Sequence, residues 1–149
     1  MMLRAARLLV LFALGGSAWA AEFHATTEVA VMYDAPSAKA RPLFVLGRDI
    51  PLELIVNVEG WMKVRDVSGT IAWVEKKAVG DKRMVVIRTP VAEILANPVD
   101  TAPLVFKAEQ NVLLEIADVA YASTTPGWVK VRHRDGQVGY VRIAQVWGV

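Results

Sequence analysis

The chain offers little with which to make or break bonds. It contains no cysteine, so it has no thiolate nucleophile, no thiolate metal site and no disulfide framework. Its two histidines, His24 and His133, stand alone, and neither shares ligand spacing with a second histidine or a carboxylate. Ser37, Ser68 and Ser123 lack the glycine-framed setting of a nucleophile elbow. A glycine-rich phosphate loop is also absent. These residues predict no catalysis and no cofactor. The chemistry left to the chain is non-covalent contact. Trp61 and Trp128 recur in one repeated motif, and Trp73, Tyr140 and Tyr33 lie at nearby positions in the same elements. Large rigid aromatics of this kind can line a ligand groove or pack across the mouth of a small core.

Two copies of one segment hold these aromatics. Gly60-Trp61-Met62-Lys63-Val64-Arg65 is followed by a turn ending at Gly69 and then by Thr70-Ile71-Ala72-Trp73-Val74. Gly127-Trp128-Val129-Lys130-Val131-Arg132 is followed by a turn ending at Gly136 and then by Gln137-Val138-Gly139-Tyr140-Val141. Both read G-W-x-K-V-R-x-x-x-G-x-x-[WY]-V. Apolar and polar residues alternate on each side of a four-residue turn, the pattern of a β-hairpin with one buried face. Alternation then sends the valines inward and makes Lys63, Arg65, Lys130 and Arg132 a solvated face. Trp73 and Tyr140 are turned outward, toward the contact between two halves of the molecule or toward a groove. The densest basic spot is Arg132-His133-Arg134, which could meet an anionic ligand.

The duplication reaches beyond the hairpins. At a shift of 62 residues, Val29 aligns with Val91, Ala30 with Ala92, Pro36 with Pro98, Phe44 with Phe106, and Leu52-Glu53 with Leu114-Glu115. In the hairpins the shift grows to 67, and the five extra residues fall in a loop, where insertions are tolerated. Strands are expected over 23–33, 43–46, 50–58 and the first hairpin, followed by one 3₁₀ turn over 75–79. The cycle restarts at Met84, with an extended segment interrupted by Pro90. No segment longer than a turn shows helical periodicity, so the chain reads as all-β. Units of this size are marginal unless the sheet closes on itself, which also hides its edges. The expected domains are 21–82 and 83–149.

Residues 1–20 form a different kind of segment. Arg4 and Arg7 precede an apolar run, which ends in small residues and Ala18-Trp19-Ala20. This is the pattern of a secretory signal peptide cut after Ala20. The run is too short to span a bilayer, so no stable membrane anchor is expected after cleavage. Removing the leader takes away two arginines and no acid, leaving fifteen basic and fifteen acidic side chains. A balanced chain lacks the basic excess that marks nucleic-acid binders, and nucleic acid is not an expected partner.

The motif G-W-x-K-V-R…G-x-x-[WY]-V, preceded by a strand, a proline-containing loop and a second strand, resembles the bacterial Src-homology-3 (SH3b-type) domain. The resemblance covers nearly all of the chain after the leader, as two tandem copies. It implies two small SH3-like five-stranded barrels, each of two orthogonal sheets, and an extracytoplasmic module that binds cell-wall peptide or protein ligands. It further implies long RT loops at 34–44 and 96–106, n-Src loops at 57–60 and 120–127, and distal turns at 66–69 and 133–136. Val31-Met32-Tyr33-Asp34-Ala35 is also similar to the eukaryotic A-L-Y-D-Y motif, but its second tyrosine is absent, Leu95 replaces Tyr33 in the second copy, and Glu75 stands where the eukaryotic proline follows the hairpin. Taken together, the expectation is a non-catalytic periplasmic or secreted protein. It would recognise cell-wall peptide through Trp61, Trp128, Tyr33, Trp73 and Tyr140, or serve as a scaffold or adaptor for an envelope complex.

Overall fold

The computed structural model describes residues 20–119 and 126–149. The signal-peptide expectation, Ser123 and most of the loop 120–127 lie outside these residues. Within them the protein is all-β, built as two tandem SH3-like domains. The first contains β1 (Phe23–Thr26), β2 (Ala30–Tyr33), β3 (Pro42–Leu46), β4 (Pro51–Val58), β5 (Trp61–Arg65), β6 (Ile71–Glu75) and β7 (Val79–Gly80). The second repeats the order as β8 (Met84–Ile87), β9 (Val91–Leu95), β10 (Leu104–Glu109), β11 (Leu113–Ile116), β12 (Trp128–Arg132), β13 (Val138–Arg142) and β14 (Val146–Trp147). A 3₁₀ turn precedes the last strand of each, at Lys76–Ala78 and Ile143–Gln145.

The two sheets share one topology. Their strand orders are β3-β2-β6-β5-β4-β1-β7 and β10-β9-β13-β12-β11-β8-β14, antiparallel at every pairing. Each sheet curls around its own core, because side chains from opposite ends of the strand order meet in one cluster. In the first domain, Leu43 and Leu46 of β3 and Val79 of β7 pack on Met32, Leu52, Met62, Val64, Ala72 and Val74. In the second, Ala108 of β10 and Val146 of β14 join Ile87, Ile94, Leu114 and Val131.

Seven short strands replace the expected five in each domain. The segment 23–33 does not run straight. It breaks at residues 27–29, so that β1 joins β4 and β7 while β2 joins β3 and β6. Thr26 sits at that break, 1 % exposed. Its hydroxyl donates to the Gly47 carbonyl at 2.7 Å and accepts from the Ile50 amide at 2.9 Å. A buried hydroxyl must find such partners, and here they fix the turn at Gly47-Arg48-Asp49. Asp49 adopts φ 64° in this turn, and its repeat equivalent Asn111 adopts φ 70°. Both residue types tolerate the left-handed region.

The domains meet at the β1/β4 side of one sheet and the β8/β14 side of the other. Phe23 and Trp147 stack edge to face, with ring centroids 5.0 Å apart and planes at 87°. Within the second domain, Arg83 Nη2 donates to the Gly148 carbonyl at 3.2 Å and ties the start of that domain to its end. Lys82 pairs with Asp49 of the first domain at 3.1 Å and approaches Glu115 of the second at 3.9 Å. The inter-domain contact suggested for Trp73 and Tyr140 is therefore made by Phe23 and Trp147. Trp73 is remote from the junction because β5 and β4 lie between β6 and β1 in the sheet.

Candidate functional site

The aromatics of the first domain gather on the outer face of β2, β6 and β5. Core-facing Met62, Val64, Ala72 and Val74 alternate with Trp61, Lys63 and Trp73, which alternation turns outward. Register then places Tyr33 opposite Trp73 and Trp73 opposite Lys63. Tyr33 and Trp61 meet edge to face at 5.5 Å and 85°. Lys63 Nζ lies 5.7 Å from the Trp73 ring centroid. A cation over an indole face is worth about 0.5–1 kcal/mol at an exposed site. Three of the five expected residues, Tyr33, Trp61 and Trp73, thus form one half-buried patch. A cleft of about 240 Å³ opens beside Tyr33, bounded by Glu28, Val31, Glu75 and Lys77. Lys77 and Glu75 pair at 2.7 Å, and this hydrogen bond and charge raise the Lys77 pKa.

The equivalent face of the second domain is differently arranged. Trp128 sits opposite Arg142 on β13, whereas Trp61 sits opposite Glu75. The Arg142 guanidinium lies 4.7 Å over the Trp128 ring, and Asp100 of the RT loop holds it in a close ion pair. Trp128 is 7 % exposed beneath this cover, which accords with packing across the mouth of the core, one of the two arrangements open to it from sequence. Lys130 lies 5.9 Å over Tyr140, repeating the Lys63–Trp73 contact. Leu95, opposite Tyr140, cannot supply the edge-to-face ring that Tyr33 supplies. A cleft of about 440 Å³ remains, lined by Leu95, Trp128, Arg142, Asp100, Glu93 and Lys107.

The basic residues of the hairpins are less solvated than expected. Lys63, Arg65 and Lys130 are half-buried, and Arg65 pairs with Glu53 at 2.8 Å. Arg132 alone is exposed among these four. Sequence reasoning missed the Arg142–Asp100 cover. The signal was present, since aligning the repeats sets Arg142 against Glu75 one residue after the shared [WY]-V. Among the described residues, no three histidines or carboxylates gather where a metal ion could sit.

Comparison with known proteins agrees with this architecture. The bacterial SH3 domain family matches the chain twice, over residues 26–81 and 89–148. No curated protein matches it. Similar solved structures include NlpC2 from Trichomonas vaginalis, at 16 % identity and TM-score 0.38, over 86 % of this chain and 48 % of that one. NlpC1 from the same organism matches at 19 % identity and TM-score 0.39, over 94 % and 50 %. An NlpC/P60 family protein from Bacillus cereus matches at 11 % identity and TM-score 0.39, over 85 % and 56 %. The chain thus spans about half the length of these solved structures. With two matches that together cover most of its length, the chain belongs to the bacterial SH3 domain family, as a tandem pair.

Proposed function

We propose that the protein is an exported, non-catalytic binding module that recognises cell-wall peptide on the aromatic face of its first domain. One observation carries this reading: Tyr33, Trp61 and Trp73 form a patch of three rings beside a cleft, and among the described residues no arginine lies over Trp61. Rigid rings that are only half-buried give contact area at small entropic cost, and a peptide with both apolar and charged groups can use rings and the Glu75–Lys77 pair together. Trp128 and Tyr140 belong to the second, covered face. The proposed location is the periplasm or the exterior, following cleavage after Ala20, with no cofactor and no nucleic-acid partner. The test is co-sedimentation of the purified chain with isolated peptidoglycan. Retention should be lost in Trp61→Ala, and a variant that sediments as well as the native chain would refute the assignment to this face.

A second reading, an adaptor within an envelope complex, draws on the sheet edges. β3 exposes Phe44 and Val45, and β10 exposes Leu104 and Val105, each on a strand with one unpaired side. An edge of this kind accepts an added strand from a partner. On this reading the chain does not sediment with peptidoglycan, and crosslinking recovers a defined envelope protein.

A further inference from the structure

The junction between the domains contains a cleft of about 680 Å³ whose charge is unlike that of the chain as a whole. Four basic side chains line it, Arg48, Lys82, Arg132 and Arg134, against two carboxylates, Asp49 and Glu115. Both carboxylates are turned toward Lys82, at 3.1 and 3.9 Å. Arg48, Arg132 and Arg134 have no ion-pair partner among the described residues. In a chain whose charges otherwise balance after the leader, this is a local positive excess.

The first domain shows how Arg132 came to be free. Its repeat equivalent Arg65 faces Glu53 across β4 and β5 and pairs with it at 2.8 Å. Arg132 faces Glu115 across β11 and β12 in the same register, yet no ion pair joins them. Glu115 instead approaches Lys82, in the segment between the domains, at 3.9 Å. The docked pair thus leaves Arg132 without the carboxylate partner that its equivalent Arg65 has in the first domain. Arg48 comes from the turn that Thr26 holds, so the opposite wall is fixed as well.

We infer that this cleft binds an acidic peptide segment through the three free arginines. Guanidinium groups engage carboxylates in bidentate fashion and keep their charge at every physiological pH. The lining also contains half-buried Val112 and Leu113, apolar surface suited to the methylene stem of a glutamyl side chain rather than to a bare inorganic anion. The two carboxylates interrupt the basic surface, so it is no continuous track for a nucleic-acid backbone. None of the residues used lies on the aromatic face of the first domain, and the inference stands apart from peptidoglycan recognition.

The test is calorimetric titration of the full chain with triglutamate at low ionic strength, alongside inorganic phosphate. Saturable triglutamate binding is expected, weakened about tenfold in R132Q and again in R134Q, as the loss of a charge-assisted hydrogen bond implies. R65Q, whose guanidinium is already paired, should bind as the native chain does. Glu115→Gln should strengthen binding severalfold, a gain that misfolding cannot mimic. Undiminished binding by the R132Q/R134Q double variant would overturn the proposal. Phosphate binding as tight as triglutamate binding would likewise overturn the peptide assignment. Peptidoglycan is not used, so failure here leaves the sedimentation result untouched.

Discussion

Trp61 and Trp128 occupy the same place in two copies of one hairpin, and their cross-strand neighbours are of opposite charge. Opposite Trp61 stands Glu75, which turns to Lys77 and leaves the ring to Tyr33. Opposite Trp128 stands Arg142, which lies over the ring and is held there by Asp100. Val64 and Val74 recur as Val131 and Val141 beneath the two hairpins, fully buried in both copies. In this pair of domains the fold is set by the inward residues, and the availability of the aromatic is set by its cross-strand partner.

The strongest test of this contrast is stability. Trp128→Ala should destabilise the second domain by about 3–5 kcal/mol, the usual range for deleting a buried aromatic. Trp61→Ala removes a half-buried ring and one edge-to-face contact, and should cost about 1–2 kcal/mol. Chemical denaturation of both variants measures the difference, and equal losses would erase the distinction between covered and open rings.

A second pair of positions separates the cores. Gly139 takes the place of Ala72, and Ile94 that of Met32. A Cβ added at Gly139 would stand 2.4 Å from Ile94 Cγ2 and 2.8 Å from the Leu95 carbonyl oxygen. The branched isoleucine and the glycine belong together, as do the unbranched methionine and the alanine. Gly139→Ala should cost about 1–3 kcal/mol as an overpacked core. Adding Ile94→Met should recover part of that loss, which thermal denaturation of the single and double variants measures.

The aromatic faces can also be exchanged by charge. Glu75→Arg sets an arginine opposite Trp61, and retention on peptidoglycan should fall severalfold with little change in stability, since an exposed cation–π contact is worth about 0.5–1 kcal/mol. Unchanged retention would mean that the cross-strand partner does not control access. The smallest expected effect lies at the distal turns. Hydrogen bonds from the Gln137 amide and side chain, aided by His133, pull the Asp135 carboxyl down to about 2 from its ordinary 3.8. A lowered value means that Asp135 supports the turn above pH 3.8 and loses that support as pH falls through about 2. The Gln137 amide shift, followed by NMR, should titrate with that midpoint.

Much of the fold could be read from residue order alone, because period-two alternation in 61–65 and 128–132 specifies both the strand and its inward face. The break at 27–29 could not, since Thr27-Glu28-Val29 carries no proline or glycine and the break is imposed by tertiary bonds to Thr26. The aromatic patch was legible as residue types, and its division into open and covered copies was not, because Asp100 reaches Arg142 from 42 positions away. The junction left a fainter trace. Phe23 aligns with Val85 and Trp147 with Gly80, so each ring is large in one copy only, as a contact unique to one side of a pseudo-repeat requires.

The contact between Phe23 and Trp147 has a consequence for synthesis. The first domain has all its strands once Gly80 has emerged, whereas the ring that Phe23 meets arrives 67 residues later, at Trp147. Domains fold as units in chain order. The first barrel can therefore close with Phe23 still uncovered, and docking follows once Trp147 is in place. A truncation that ends before Val146 should leave the first domain folded and Phe23 exposed to a hydrophobic dye.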